Sequence, residues 1–393
     1  MKLVSQMLER LRARTSTQSE DRKSIQNPDI AKIIADALAS AGLGKGSTKG
    51  GQIAEVIDSA LARAGLLGAD DASEIKPVPR AEVKSYGIPE GEAGIEPTIS
   101  LKGRFLSHTV SSPTGALAYK LYVPASYDAQ SIRTVPLLVM LHGCTQSPDD
   151  FAAGTQMNAQ ADLHGFLVAY PAQTANANAN KCWNWFRPQD QARGGGEPAL
   201  IAGMTAQIGA DYRIDPARIY VAGLSAGAAM AVVLGNTYPD VFAAVGAHSG
   251  LPYRAARDMG SAFAAMRSGG AGVGDADARA NQKLTPTIVF HGDRDHTVSA
   301  TNGDAIVAHQ TRASGAAAHI ATRNSGTARG GRSYSLTTYA DVPGRTVVED
   351  WRVHGGGHAW MGGSASGTYT DPQGPDASAE MVRFFLQHAR QGA

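Results

Sequence analysis

The sequence predicts an α/β protein with a mostly parallel central sheet flanked by helices, preceded by a small N-terminal helical extension. Three observations carry that prediction. A β-branched and aromatic run, Ile219 to Val221, enters Gly223-Leu-Ser225-Ala-Gly227, and an Ala-rich helical segment, Ala228 to Thr237, follows at once. Thr287-Ile-Val-Phe290 and Val347 to Val353 read as short buried strands, each opening into a loop rich in His, Gly or Asp. Val135-Pro-Leu-Leu-Val-Met-Leu141 reads as a further apolar strand.

In chain order, the first dozen residues wind into a helix with Leu3, Val4, Met7, Leu8 and Leu11 on one face. That is the pattern of an interfacial or partner-binding helix, and equally of a short surface helix. Ile30-Ala-Lys-Ile-Ile-Ala-Asp-Ala-Leu-Ala-Ser-Ala-Gly-Leu43 is echoed by Ile53-Ala-Glu-Val-Ile-Asp-Ser-Ala-Leu-Ala-Arg-Ala-Gly-Leu66. Each copy has apolar residues at helical spacing and stops at a glycine. The Gly-rich stretch between them, Gly44 to Gly51, has neither the preceding strand nor the spacing of a phosphate loop. Residues 1–67 thus read as a helical hairpin with an internal repeat, too small for an independent core. Residues 68–97 carry charge, Pro and Gly without periodicity and read as a linker. Residues 98–393 form the domain that carries the chemistry.

Within that domain the strand-to-helix turn at Ser225 is a nucleophile elbow, which holds a serine hydroxyl clear of the sheet. Its glycines are expected because the turn strains the backbone and its neighbours leave no room for Cβ atoms. A serine hydroxyl needs a base, and the base needs a carboxylate to fix its tautomer. Both are expected downstream in the order Ser, Asp, His, on loops after strands. The acid is Asp293 or Asp295 in His291-Gly-Asp-Arg-Asp295-His-Thr-Val298. Spacing from Gly292 and Val298 favours Asp295. The base is His354 or His358 in His354-Gly-Gly-Gly-His358-Ala-Trp360. The triple glycine favours His358, because that loop must swing an imidazole over the serine. The oxyanion of the tetrahedral intermediate needs backbone donors. The Ala226 amide is one, and the Cys144 amide in His142-Gly-Cys-Thr145 the other. His142 is read as a brace for that loop.

The helix from Ala199 to Ala210 follows Arg193-Gly-Gly-Gly-Glu197, read as a flexible approach with Glu197 favourable near the helix N-terminus. His248 and Ser249 follow a strand and are expected near the pocket in a packing or hydrogen-bonding role. Trp360 is the candidate apolar wall for a substrate. Trp183 and Trp185 can serve as substrate contacts or as core.

The region from about Ser100 onward resembles the catalytic domain of poly(3-hydroxybutyrate) depolymerases and their feruloyl and acetylxylan esterase relatives. The resemblance rests on Leu141-His-Gly-Cys-Thr-Gln146, Lys181-Cys-Trp-Asn-Trp-Phe186, Gly223-Leu-Ser-Ala-Gly227, His291-Gly-Asp-Arg-Asp295 and Gly355-Gly-Gly-His-Ala-Trp360. It implies an α/β-hydrolase fold, ester hydrolysis through an acyl-enzyme, and no metal or organic cofactor. It also implies a disulfide between Cys144 and Cys182; two reduced thiols packed as small apolar residues are the other reading.

Formal net charge is +1 and aromatic content 6%, which gives no footprint for nucleic acid. No apolar run reaches the length of a membrane span. The first residues lack the continuous apolar core of a secretory signal, which argues for retention in the cytoplasm, whereas the resemblance implies secretion. The leading function is a serine esterase acting on polyhydroxyalkanoate or its oligomers. A feruloyl or acetyl esterase is the runner-up, and a non-catalytic granule-binding protein the alternative of another class. The hairpin is expected to mediate self-association or attachment to a polymer granule. The last helix, Ala377 to Ala389, ends almost at the C-terminus with no polymer-binding domain after it, so amorphous polymer or soluble oligomers are expected to be better substrates than crystalline polymer.

Overall fold

The structure, a computed structural model, describes residues 102–112, 115–270, 285–313, 320–341 and 344–390. The helical hairpin and linker expected before residue 98 lie outside the described residues.

A sheet of ten strands organises the domain. Its order is β1 (Arg104–Ser112), β2 (Gly115–Val123), β4 (Leu167–Pro171), β3 (Val135–Leu141), β5 (Ile214–Leu224), β6 (Ala244–His248), β7 (Thr287–Gly292), β10 (Thr346–Val353), β9 (Ser333–Ala340) and β8 (Ile320–Thr327). From β4 through β10 the neighbours run parallel. Antiparallel pairs close both sides: β1 and β2 with β4, and β9 and β8 with β10.

The central strands are apolar at consecutive positions because both faces of the sheet are covered. In β3, Leu137, Val139 and Leu141 join one core while Leu138 and Met140 join the other. The first core holds residues of α3 (Gly196–Asp211), α4 (Ala226–Thr237), α5 (Met259–Ser268) and α6 (Thr301–Ala313). The second takes α1 (Pro148–Thr155), α2 (Met157–His164) and α7 (Ala377–Phe385). Sequence then sets where helices start. Ser147 caps α1 by accepting from the Asp150 amide at 3.2 Å, with Pro148 in the first turn, a position whose N–H needs no helical partner.

The parallel order sends β3, β5, β7 and β10 towards one edge of the sheet, and their C-terminal loops carry the expected chemistry. Helix boundaries shift from expectation: α3 starts at Gly196 rather than Ala199, and α4 at Ala226 rather than Ala228. Helix α7 ends at Phe385 rather than Ala389. A turn from the His388 amide to the Phe385 carbonyl takes over, and the Tyr220 hydroxyl and Ala217 carbonyl tie the tail to β5. No helix among the described residues is long and apolar enough to cross a membrane.

Candidate active site

The nucleophile candidate sits where β5 turns into α4. Ser225 has φ 58° and ψ −119°, a backbone region that costs a non-glycine residue about 1–3 kcal/mol. The fold holds it there. Its amide donates to the His248 carbonyl at the end of β6 at 2.9 Å, and its carbonyl accepts from Ala229 at 2.9 Å. The flanking glycines are needed for space. A Cβ on Gly227 would lie 2.1 Å from the Leu141 oxygen, and one on Gly223 would lie 2.5 Å from the Gly227 carbonyl carbon. The strain therefore falls on the serine, and the glycines let the elbow press against the end of β3.

The acid and base loops are stitched together along β7 and β10. Asp293 donates its amide to the Val353 carbonyl at 3.0 Å, and Arg294 to that of Gly356 at 2.9 Å. Contact is so close that a Cβ on Gly292 would fall 2.2 Å from the Gly356 oxygen. Two His–Asp pairs result. In the inner one, His358 Nδ1 donates to Asp295 Oδ2 at 2.7 Å. Asp295 Oδ1 accepts from the Thr297 and Val298 amides at 2.9 and 2.8 Å. Burial alone would raise this carboxyl, but the hydrogen bonds from His291, His358 and the Val298 amide overcome it and hold it well below the usual carboxylate range. An ionised Asp295 fixes Nδ1 of His358 as the donor, leaving Nε2 as the basic atom. In the outer pair, His354 Nδ1 lies 3.0 Å from Asp293 Oδ2 and its Nε2 lies 2.9 Å from Ser335 Oγ. Side chains there are 42% and 38% exposed, against 12% for His358 and 0% for Asp295.

The structure brings His358 and Asp295 together. Among the described residues, no hydrogen bond joins Ser225 Oγ to His358; such contacts commonly tighten only when substrate binds. His248 links the two halves. It is buried and kept neutral, first by desolvation and then by repulsion from His291 and His358. Its Nε2 accepts from the Met361 amide at 3.0 Å, so it is the hydrogen-bonding support expected of it.

The loop after β3 is braced on every side. His142 Nδ1 donates to the Gly143 carbonyl at 2.7 Å, and its Nε2 accepts from the Gln173 amide at 3.1 Å. Burial lowers this imidazole to about 4, so it stays neutral in that tautomer. Thr145 donates its amide to Asn180 at 2.7 Å, and a disulfide joins Cys144 to Cys182 across 38 residues. On the chain-entropy model a closed loop of that length is worth about 4 kcal/mol. The Cys144 and Ala226 amides donate to no other group among the described residues, so both are free to receive an oxyanion.

Glu197 supports this loop from below. It is 9% exposed and accepts from Gln173 Nε2 at 2.5 Å and from the Asn184 amide at 2.6 Å. The last of the three glycines before it is closely packed: Asp190 Oδ1 accepts from the Glu197 amide at 2.7 Å, and a Cβ on Gly196 would sit 2.0 Å from that oxygen. Burial raises the Glu197 carboxyl from the ordinary 4.5 to about 7. The folded protein therefore holds this proton more tightly than the unfolded chain. That contribution to stability is full below about pH 4.5 and lost as pH rises through about 7, on the order of 3 kcal/mol. Glu197→Gln is expected to flatten the fall in melting temperature across that window. An unchanged slope would assign the proton elsewhere.

The three candidate tryptophans are buried. Trp183 is fully buried and its Nε1 donates to the His142 carbonyl at 3.1 Å. Trp185 is 6% exposed and packs edge-on against Phe186. Trp360, expected as a substrate wall, is 1% exposed. It donates to Ser378 Oγ at 3.1 Å and stacks on His248 with ring centroids 5.1 Å apart. The aromatic ring that does face outward beside the Cys144 loop is Tyr369, 46% exposed, with its hydroxyl 3.3 Å from Thr145 Oγ1. It stands in a Gly- and Ser-rich loop with no periodicity to single it out.

The chain is similar to known esterases. Residues 117–332 match the family described as "Esterase PHB depolymerase". Poly(3-hydroxyalkanoate) depolymerase C of Paucimonas lemoignei is 37% identical over 267 residues, 66% of this chain and 60% of that protein. Feruloyl esterase B of Neurospora crassa is 35% identical over 145 residues, 36% of this chain and 47% of that one. The chain thus spans about half to three fifths of the length of these relatives. Among solved structures, an acetyl xylan esterase from Aspergillus awamori aligns with a TM-score of 0.55 and 18% identity, covering 72% of this chain and 99% of that one. That likeness establishes the α/β-hydrolase fold. With the family match spanning more than half of its residues, the chain belongs to the esterase PHB depolymerase family.

Proposed function

We propose that this chain is a serine esterase that hydrolyses polyhydroxyalkanoate or its oligomers through an acyl-enzyme. The observation that carries the proposal is the Asp295–His358 pair, with Asp295 buried, at the same sheet edge as the strained Ser225 elbow. Ser225 Oγ attacks the ester carbonyl while His358 Nε2 takes its proton. The oxyanion is met by the Cys144 and Ala226 amides; one such donor is worth about 3 kcal/mol. The intermediate collapses as His358 returns the proton to the departing alkoxide, which leaves as an alcohol. Water then attacks the acyl-Ser225 ester, giving its proton to His358, and the acid is released as Ser225 is regenerated.

A polyester of hydroxyacids supplies both partners of this chemistry in each repeat, since the released alcohol is the end of the remaining chain. The choice of substrate rests on the relatives. Four esters assayed side by side test it: hydroxybutyrate oligomers, amorphous poly(3-hydroxybutyrate), a feruloyl ester and acetylated xylan. Oligomers and amorphous polymer are expected to give the highest kcat/KM. Preference for the feruloyl ester or acetylated xylan would replace the proposed substrate with that of the feruloyl or acetylxylan esterases. No turnover of any of the four would leave a binding role.

A further inference from the structure

The base loop continues beyond His358 into a short parallel pair, β11 (Trp360–Met361) with β12 (Thr370–Asp371). The segment between them folds back over α1, the helix that follows the oxyanion loop. Ser364 donates its amide to Gly154 at 2.8 Å, and Thr368 its amide and hydroxyl to Asp150 at 2.9 and 2.6 Å. Gln146 Nε2 donates to the Thr368 carbonyl at 3.1 Å. A Cβ on Gly367 would lie 2.5 Å from the Asp150 oxygen, so the crossing is tight.

This segment ends at Tyr369, held at φ 53° although it is not glycine. Its carbonyl accepts from the Trp360 amide at 2.7 Å, two residues after the base. Its hydroxyl reaches Thr145, which is itself at φ 67°. Thr145 Oγ1 donates its single proton to the Cys144 carbonyl at 2.6 Å, so in the 3.3 Å contact Tyr369 must be the donor. The relay runs from Tyr369 O–H to Thr145 Oγ1–H to the Cys144 carbonyl. Two non-glycine residues in a costly backbone region flank it, and such strain persists only where the surroundings over-determine it.

We propose that Tyr369 is a positioning residue for ester hydrolysis. Through Thr145 it fixes the turn that aims the Cys144 amide at the oxyanion, and so couples the base loop to the oxyanion loop. This rests on the esterase reading above. The aim of a donor matters more in the transition state than in the bound ester, because charge on the oxygen develops only there. Losing the relay should therefore lower kcat and leave KM nearly unchanged.

The experiment uses the full chain and a small soluble ester. Tyr369→Phe, which removes one oxygen, is expected to lower kcat about tenfold, the rate equivalent of one ordinary hydrogen bond, with KM within about twofold. Thr145→Val should lose a similar factor, Thr145→Ser should restore most of it, and the Tyr369→Phe/Thr145→Val double variant should be no worse than either single change. Unchanged kcat in Tyr369→Phe, additive losses, or a change confined to KM would overturn the relay. Amide exchange of residues 143–146 supplies a readout independent of turnover. It should speed up in Tyr369→Phe, and equal exchange in both proteins would also overturn the proposal. A wild type inactive on every ester would instead overturn the esterase reading, with the exchange comparison still deciding the relay.

Discussion

Ser225→Ala is expected to cut ester turnover by about 10⁵–10⁶-fold while leaving the melting temperature within a few degrees of wild type. Removing Oγ takes away the nucleophile but not the packing: the Ser225 amide still donates to His248, and Gly227 still lies against Leu141. The alanine also inherits φ 58°, so the strain remains. A second substitution separates these effects. Ser225→Gly should be equally inactive yet melt higher than Ser225→Ala, because glycine reaches this backbone region without a Cβ penalty. Thermal melts and initial rates on one soluble ester check both. Turnover above about a thousandth of wild type in either variant would rule out a serine mechanism.

Asp295→Asn should cost about 10⁴-fold in kcat, and Asp293→Asn less than about tenfold. Both carboxylates pair with a histidine, so pairing alone does not separate them. Burial does. Asp295, its side chain fully buried, accepts from His358 and from two backbone amides, and an amide nitrogen in place of Oδ1 or Oδ2 would face a donor. The imidazole would then turn or change tautomer, and Nε2 would no longer take the Ser225 proton. Asp293 and His354 are both more than a third exposed, where solvent screens their attraction. His358→Ala and His354→Ala should follow the same order. If Asp293→Asn were the more damaging of the two, the outer pair would be the working one.

The turn at Ser225 and the loops after β7 and β10 were legible because each is a local pattern: a strand's apolar run followed by residues at fixed spacing. The hairpin of β1 and β2 and the pair β8 and β9 were not named from sequence. In β9, Ser333–Ala340, no residue is fully buried, so it lacks the continuous apolar run that marks the central strands. The tryptophans were hard to read for a different reason. Trp183 and Trp360 stand beside loop residues of the site, and sequence proximity suggested contact with substrate. Which way an indole points is decided by partners far along the chain, His142 for one and Ser378 for the other. The same holds for Tyr369, whose contact with Thr145 spans 224 residues.

Where β7 leaves the sheet and β10 arrives beside it, Gly292 and Gly356 meet with no room for a methyl group. Sequence drift in homologues should therefore be lopsided. Asp293, His354 and Ser335, on the outer side, can be exchanged while the inner pair keeps its spacing. Gly292 cannot, because even alanine would push the acid-bearing turn off the base-bearing one. A homologue that retains serine, aspartate and histidine at positions 225, 295 and 358 but carries a larger residue at position 292 should be read as a chain whose proposed acid and base have parted company, whatever its motifs suggest.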